Sequence, residues 1–117
     1  ACRNARSATC RISGVLMTRL DVYPMPGKRR VGYVVDVQAE LLSRLATRMV
    51  VPLIPASDAP PPISELNPVI EIKDVPHVLL TQALASVPAS ELRKPVCSVD
   101  NHHDAITRAL DVLFVGF

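Results

Sequence analysis

The chain has 117 residues, 49% of them apolar and only 3% aromatic, with eleven prolines, four glycines and no tryptophan. That is enough for one small domain with a modest aliphatic core, and it argues against disorder. The formal net charge is +2, but Arg3, Arg6 and Arg11 stand in a first stretch of sixteen residues without an acid, and residues 17–117 carry ten bases against eleven acids, a balance of −1; a basic nucleic-acid footprint on the folded domain is not expected.

Residues 1–16 show no hydrophobic period and read as an upstream extension, disordered or loosely packed, with Met17 as the natural start and 17–117 as the domain. A transit peptide is the rival reading for a segment that holds Arg and Ser but no acid. Cys2, Cys10 and Cys97 form no CxxC pair, so reduced thiols in a cytoplasmic protein are expected. No apolar run nears the roughly 20 residues that cross a bilayer.

Residues 18–23 alternate, with Leu20 and Val22 on one face and Arg19 and Asp21 on the other, which predicts a half-buried strand. Pro24-Met25-Pro26-Gly27-Lys28 predicts a turn, and Lys28-Arg29-Arg30 a solvated hairpin loop. Residues 31–38 predict the second strand, with Val31, Tyr33, Val35 and Val37 on one face. Residues 39–47 contain helix formers without a cap and predict a short helical turn or loop. The run Met49-Val50-Val51-Pro52-Leu53-Ile54 predicts a strand covered on both faces. Pro52 cannot donate to a ladder and implies an edge or a bulge.

Pro60-Pro61-Pro62 holds open a loop over residues 55–68. Residues 69–73 and 77–82 predict a second hairpin around Asp74, and residues 86–92 a short edge strand containing Pro88. Residues 99–113 predict one amphipathic helix, capped by Ser98 or Asp100, with Ile106, Ala109, Leu110, Leu113 and Phe114 as its apolar stripe. The sequence then ends on Phe114-Val115-Gly116-Phe117, two of the four aromatics with no polar tail. A terminus of that kind is either docked on its own core or presented to a partner. Val34 and residues 106–113 could equally serve a dimer seam.

Candidate chemistry is sparse. Asp100, His102, His103 and Asp104 cluster at the helix start, where an acid–base pair or a metal site is conceivable, but neighbouring residues point to different helix faces and a polar capped end is the plainer reading. His77 is expected in a core or sheet-surface position. No P-loop, GxGxxG, GxSxG or HExxH motif occurs, and Cys97 has no activating base nearby in sequence. The near-empty inventory favours a binding protein over an enzyme, with no cofactor and no metal.

Several segments together resemble the CcdB family of bacterial toxins. They are Leu20-Asp21-Val22-Tyr23, Val35-Asp36-Val37-Gln38, Arg48-Met49-Val50-Val51-Pro52-Leu53, Asn67-Pro68-Val69-Ile70, Ala85-Ser86-Val87-Pro88 and the end from Ala109 to Phe117, in family order over residues 17–117. The resemblance implies an α+β, mostly β, CcdB/MazF-like fold of the SH3-like barrel type: a five-stranded antiparallel sheet, a small second sheet and a C-terminal helix. It implies a cytoplasmic homodimer of a toxin–antitoxin pair, acting in plasmid maintenance, that poisons the complex of DNA gyrase with cleaved DNA by entering the gyrase A subunit. It implies a CcdA-like antitoxin partner, and no direct contact with nucleic acid or membrane. The family's gyrase-contacting positions fall on Leu41, Leu42, Asp111, Phe114, Val115, Gly116 and Phe117.

The family pattern ends Phe-Trp-Gly-Ile, whereas this chain ends Phe114-Val115-Gly116-Phe117. Two alternatives stay open. One is a MazF-like endoribonuclease toxin of the same architecture, for which Arg48 or His103 would lie in a dimer groove. The other is a non-toxic homologue that binds antitoxin only, which the valine in place of tryptophan suggests.

Overall fold

The computed structural model describes residues 19–26, 32–42 and 44–116. The extension 1–16, the Lys28-Arg29-Arg30 cluster and Phe117 lie outside them. The described strands are β1 (Asp21–Pro24), β2 (Tyr33–Asp36), β3 (Thr47–Pro55), β4 (Val69–Ile72), β5 (Val75–Leu79), β6 (Ala85–Pro88) and β7 (Cys97–Ser98), followed by one α-helix, α1 (His103–Phe114). Among the described residues no helix is long and apolar enough to cross a membrane.

The longest strand, β3, organises the sheet. The main path runs β4-β5-β3-β2-β1-β7, and β6 pairs with β3 off that path. All of these pairings are antiparallel. The first half of β3 lies beside β6, with Val50 opposite Ala85, and its second half beside β5, with Leu53 opposite Leu79. The result is a curled antiparallel sheet with a C-terminal helix. The expected split into five strands and a small second sheet is not seen as two hydrogen-bonded sets, because β3 is shared by every part.

This sharing explains Pro52. It lies in the middle of β3, opposite Val34 of β2, and not at a free edge. Its carbonyl accepts from the Leu80 N–H at 2.9 Å. The N and C=O of one strand residue point to the same side, so the missing donor falls in the seam where β3 changes partner from β6 to β5. No ladder hydrogen bond is lost there.

Both faces of β3 are covered, as its apolar run predicts. Val51 and Leu53 join the main core with Leu20, Val22, Val35, Val37, Ile70, Ile72, Leu79 and Ile106. Val50 joins a smaller cluster with Tyr23, Val34 and Leu92 on the other side. Strict alternation in β1 anticipates only the first cluster. Tyr23 shares the Asp21 face yet is buried, because Leu92, beyond β6, closes over it. Val34, Ile106 and Ala109 are buried within the single chain, so these three are core residues and not a dimer seam.

The β4–β5 hairpin turns on Lys73 and Asp74, both with positive φ (54° and 67°), and Ile72 pairs with Val75 across it. Two positive-φ residues in a two-residue loop match the right-handed twist of the flanking strands. Asp tolerates that conformation better than most side chains. The edge position of β6 follows its Pro88 as expected.

The expected single helix is in fact two segments. A 3₁₀ turn over Asp100–His102 precedes α1, and Ser98 Oγ accepts from the Asp100 N–H at 3.2 Å. Val99, with φ −114° and ψ 32°, lies outside the helix: it is a core residue whose N–H donates to the Leu20 carbonyl and continues the β1–β7 pairing. Cys97 is buried and belongs to the main core, while Cys2 and Cys10 lie outside the described residues.

Candidate functional site

The apolar stripe of α1 does not stay buried to its end. Ile106 and Ala109 are fully enclosed and Leu110 packs against the main core, but Phe114 is 68% exposed and Val115 62% exposed. The described part of this segment is therefore not docked on the core of its own chain: it is exposed. A helix end of this kind would fray without a stop. Here Val115 N–H donates to the Asp111 carbonyl at 2.7 Å, and Gly116 N–H reaches the Val112 and Asp111 carbonyls at 3.1 Å each. Gly116 has φ +95°, the left-handed C′ conformation that closes many helices.

A Cβ on Gly116 would meet no atom within 4 Å, so glycine is needed for its backbone freedom and not for space. Gly116→Ala is expected to lower stability by about 1 kcal/mol or less, because the cost of a left-handed alanine can be relieved by fraying. The same change should speed amide exchange at Val115 while leaving Ile106 protected, which hydrogen exchange read by NMR would show.

Asp111 lies exposed on the same helix, in a shallow groove with Asp104, Thr107 and Arg108. Asp111, Phe114, Val115 and Gly116 are thus brought together by one helix end. Leu41 and Leu42 are not part of it. They belong to a 3₁₀ turn (Glu40–Leu42) between β2 and β3, where Leu41 is 89% and Leu42 45% exposed. Among the described residues no hydrogen bond joins this turn to the helix end.

That turn rests on a buried polar network. Gln38 Nε2 donates to the Leu42 carbonyl (3.0 Å) and the Thr47 carbonyl (3.2 Å), and its Oε1 accepts from the Met49 N–H (3.2 Å). The Gln38 N–H donates to Asp36 Oδ1 (3.0 Å), and Arg48 Nε and Nη2 both donate to Asp36 Oδ2 (2.9 and 2.6 Å). Asp36 and Arg48 are almost wholly enclosed. Burial raises the Asp36 carboxyl above its ordinary value, against the opposing pull of Arg48 and the Gln38 amide. Burial, with the charges of Asp21 and Asp36, also pushes the Tyr23 hydroxyl far up, so it stays protonated. Tyr23 Oη and Arg48 Nη1 are enclosed without a hydrogen-bond partner.

Arg48 is therefore unavailable to a phosphodiester, which corrects its place as an RNA-cleaving candidate. The two histidines of the helix start also separate. His103 is exposed, with Nδ1 3.3 Å from Asp104 Oδ1, whereas His102 is half-buried with Nε2 enclosed and unpartnered. They do not form an acid–base pair, and among the described residues no cluster of three or more His, Cys, Asp or Glu could hold a metal. His77 is buried against Tyr33, with ring centroids 5.4 Å apart.

Burial lowers the His102 pKa from 6.5. The unfolded chain then binds the proton more readily than the folded one, so stability falls as pH drops through 6.5 toward the lower folded value. His102→Gln should flatten that part of the stability–pH curve, as urea titrations at a series of pH values would report.

Sequence reasoning missed Gln38 as an anchor and gave Arg48 a chemical role in place of its structural one. The available signal was the polar pair Asp36 and Gln38 at alternate positions inside a valine-rich strand, with a cation opening the next apolar run. A polar residue set among core positions calls for a buried partner.

A family model described as CcdB protein matches residues 19–116, a span that includes both the Leu41–Leu42 turn and the helix end through Gly116.

Proposed function

The chain belongs to the CcdB family, and from that premise we propose that it is the toxin of a toxin–antitoxin pair that acts on DNA gyrase through its helix end. Family membership supports a toxin-like function in general. The observation that carries the specific reading is the exposure of Phe114 and Val115 on a capped, ordered helix end. Large apolar side chains held in water on a rigid element are what an anchor for a partner groove requires. Asp111 on the same helix supplies a polar rim, and Leu41 and Leu42 supply a second exposed apolar contact.

In this reading the protein is not an enzyme. It shifts a conformational equilibrium of gyrase by binding the state with cleaved DNA more tightly than the others. The curled sheet is the CcdB/MazF-like, SH3-like barrel. A cytoplasmic homodimer would present two prongs at once to the gyrase A subunit. A CcdA-like antitoxin neutralises by covering the same apolar surface with a segment that folds on binding. The balance of −1 over residues 17–117 favours a protein target over direct RNA contact.

Deleting residues 115–117 tests the reading. The truncated protein should lose gyrase-dependent DNA cleavage and keep its melting temperature within a few degrees, since Val115 and Gly116 are exposed. Cleavage at full strength by the truncated protein would remove the tail from the mechanism.

A further inference from the structure

The turn that carries Leu41 and Leu42 has no packing of its own. None of its three residues is buried, and Ala39, Arg44, Leu45, Ala46 and Thr47 beside it are exposed. Leu42 is still 45% exposed, so hydrophobic burial holds the turn only weakly. Among the described residues, the buried side chain that bonds to it is Gln38, 7% exposed, which sits where the β2–β3 ladder ends just beyond the Val37 N–H to Met49 carbonyl bond. Its amide reaches three backbone groups. One, the Leu42 carbonyl, is inside the turn, and two, the Thr47 carbonyl and the Met49 N–H, are on the strand to which the chain returns.

The excursion between β2 and β3 is thus stapled at its exit and at its return by one side chain. The residue is itself held, since the Gln38 backbone N–H is fixed on Asp36 Oδ1 and the other carboxylate oxygen is clamped by Arg48. Each of the three bonds ends on a backbone group, so the staple fixes the path of the chain and leaves the leucine side chains free.

We infer that Gln38 is a positioning residue for partner binding: it touches no partner, and it holds Leu41 and Leu42 in the geometry that a partner meets. The inference rests on the proposed gyrase reading for the identity of the partner, and on the hydrogen bonds alone for the positioning. A fixed turn enters a complex without first being ordered, and that ordering otherwise subtracts from affinity.

The test is a double-mutant cycle on affinity for the purified gyrase A subunit. Gln38→Met keeps length and removes all three bonds, and is expected to weaken binding about tenfold, given the modest net worth of each hydrogen bond. In a Leu41→Ala/Leu42→Ala background the same change should alter affinity by less than about twofold, because there is nothing left to position. Hydrogen exchange supplies the readout that a general loss of stability would not move. The Leu42 and Leu45 amides, bonded to the Ala39 and Leu42 carbonyls, should lose protection while Val51 and Leu53 keep theirs.

Equal fold-losses in both backgrounds, or unchanged protection at Leu42 and Leu45, would overturn the inference. If Gln38→Met does not fold, Gln38→Asn retains a buried amide but retracts it by one methylene, and the same outcomes apply. If the unaltered protein fails to bind the gyrase A subunit, the partner assignment falls, and the exchange measurement still decides whether Gln38 holds the turn.

Discussion

Arg48→Met is expected to destabilise the protein by about 3–5 kcal/mol, because it leaves the Asp36 carboxylate buried without its counter-charge. Few single substitutions reach that size in a domain whose whole stability is of order 5–15 kcal/mol. The cause is specific. Asp36 is fully enclosed, and Arg48 delivers two hydrogen bonds to one of its oxygens. Methionine keeps the apolar stem of the arginine and removes the guanidinium, so the loss combines the stranded charge with the volume the guanidinium filled.

The partner change sharpens the prediction. Asp36→Asn keeps an oxygen to accept the Gln38 N–H and removes the charge. Combined with Arg48→Met it should recover most of the loss, since a buried pair contributes little net stability once both members are gone. Urea titrations of the two single variants and the double variant give the coupling directly. A sum of the single losses in the double variant would mean that the pair is not coupled.

The pH dependence has a definite sign. The folded carboxyl already lies above the ordinary 3.8, and without Arg48 it rises further. The folded state then takes up a proton more readily than the unfolded one, so the deficit of Arg48→Met is greatest at neutral pH and shrinks as pH falls toward 3.8.

The sheet was legible where alternation or an apolar run had one physical cause. Val51 and Leu53, the Asp74 turn and the Pro88 edge all follow from local rules of burial and backbone freedom. Tyr23 and Pro52 were not, because their environments are made by strands distant in sequence. Leu92 covers one, and the seam between β5 and β6 accommodates the other. Val99 misled for the same reason, since a helical position in the pattern is claimed by the Leu20 carbonyl.

In the candidate site, the aromatic terminus left the helix end either docked or exposed, and the Leu41–Leu42 turn was named from resemblance alone. Its anchor was hidden because a glutamine just past a strand end announces nothing about which backbone groups it will meet. Arg48 read as a possible chemical group, and it is a structural one. Only the fold brings its guanidinium onto Asp36, and that contact removes it from any surface.

Phe114→Ala is the substitution expected to affect function most while sparing the fold. Aromatic anchors at interface centres lose 2 kcal/mol or more on truncation, about a thirtyfold loss of affinity. The ring is 68% exposed in the free protein, so little folding energy depends on it. Thermal stability should therefore change by a few degrees at most, while binding to the gyrase A subunit and gyrase-dependent DNA cleavage collapse together.

Val115→Trp is the converse arm. Valine fills space but offers no ring face, whereas tryptophan there restores the family's pattern and can stack on a guanidinium, a contact worth roughly 1–2 kcal/mol when desolvated. Val115 is 62% exposed, so the larger side chain meets no packing constraint in the free protein. Affinity should rise by about tenfold, as surface plasmon resonance against the immobilised gyrase A subunit would register. The two arms act on adjacent residues of one helix end and depend on the same docking geometry. Loss with Phe114→Ala and gain with Val115→Trp fit only a helix end that enters the partner, whereas two neutral results would leave the exposed apolar end to some other contact.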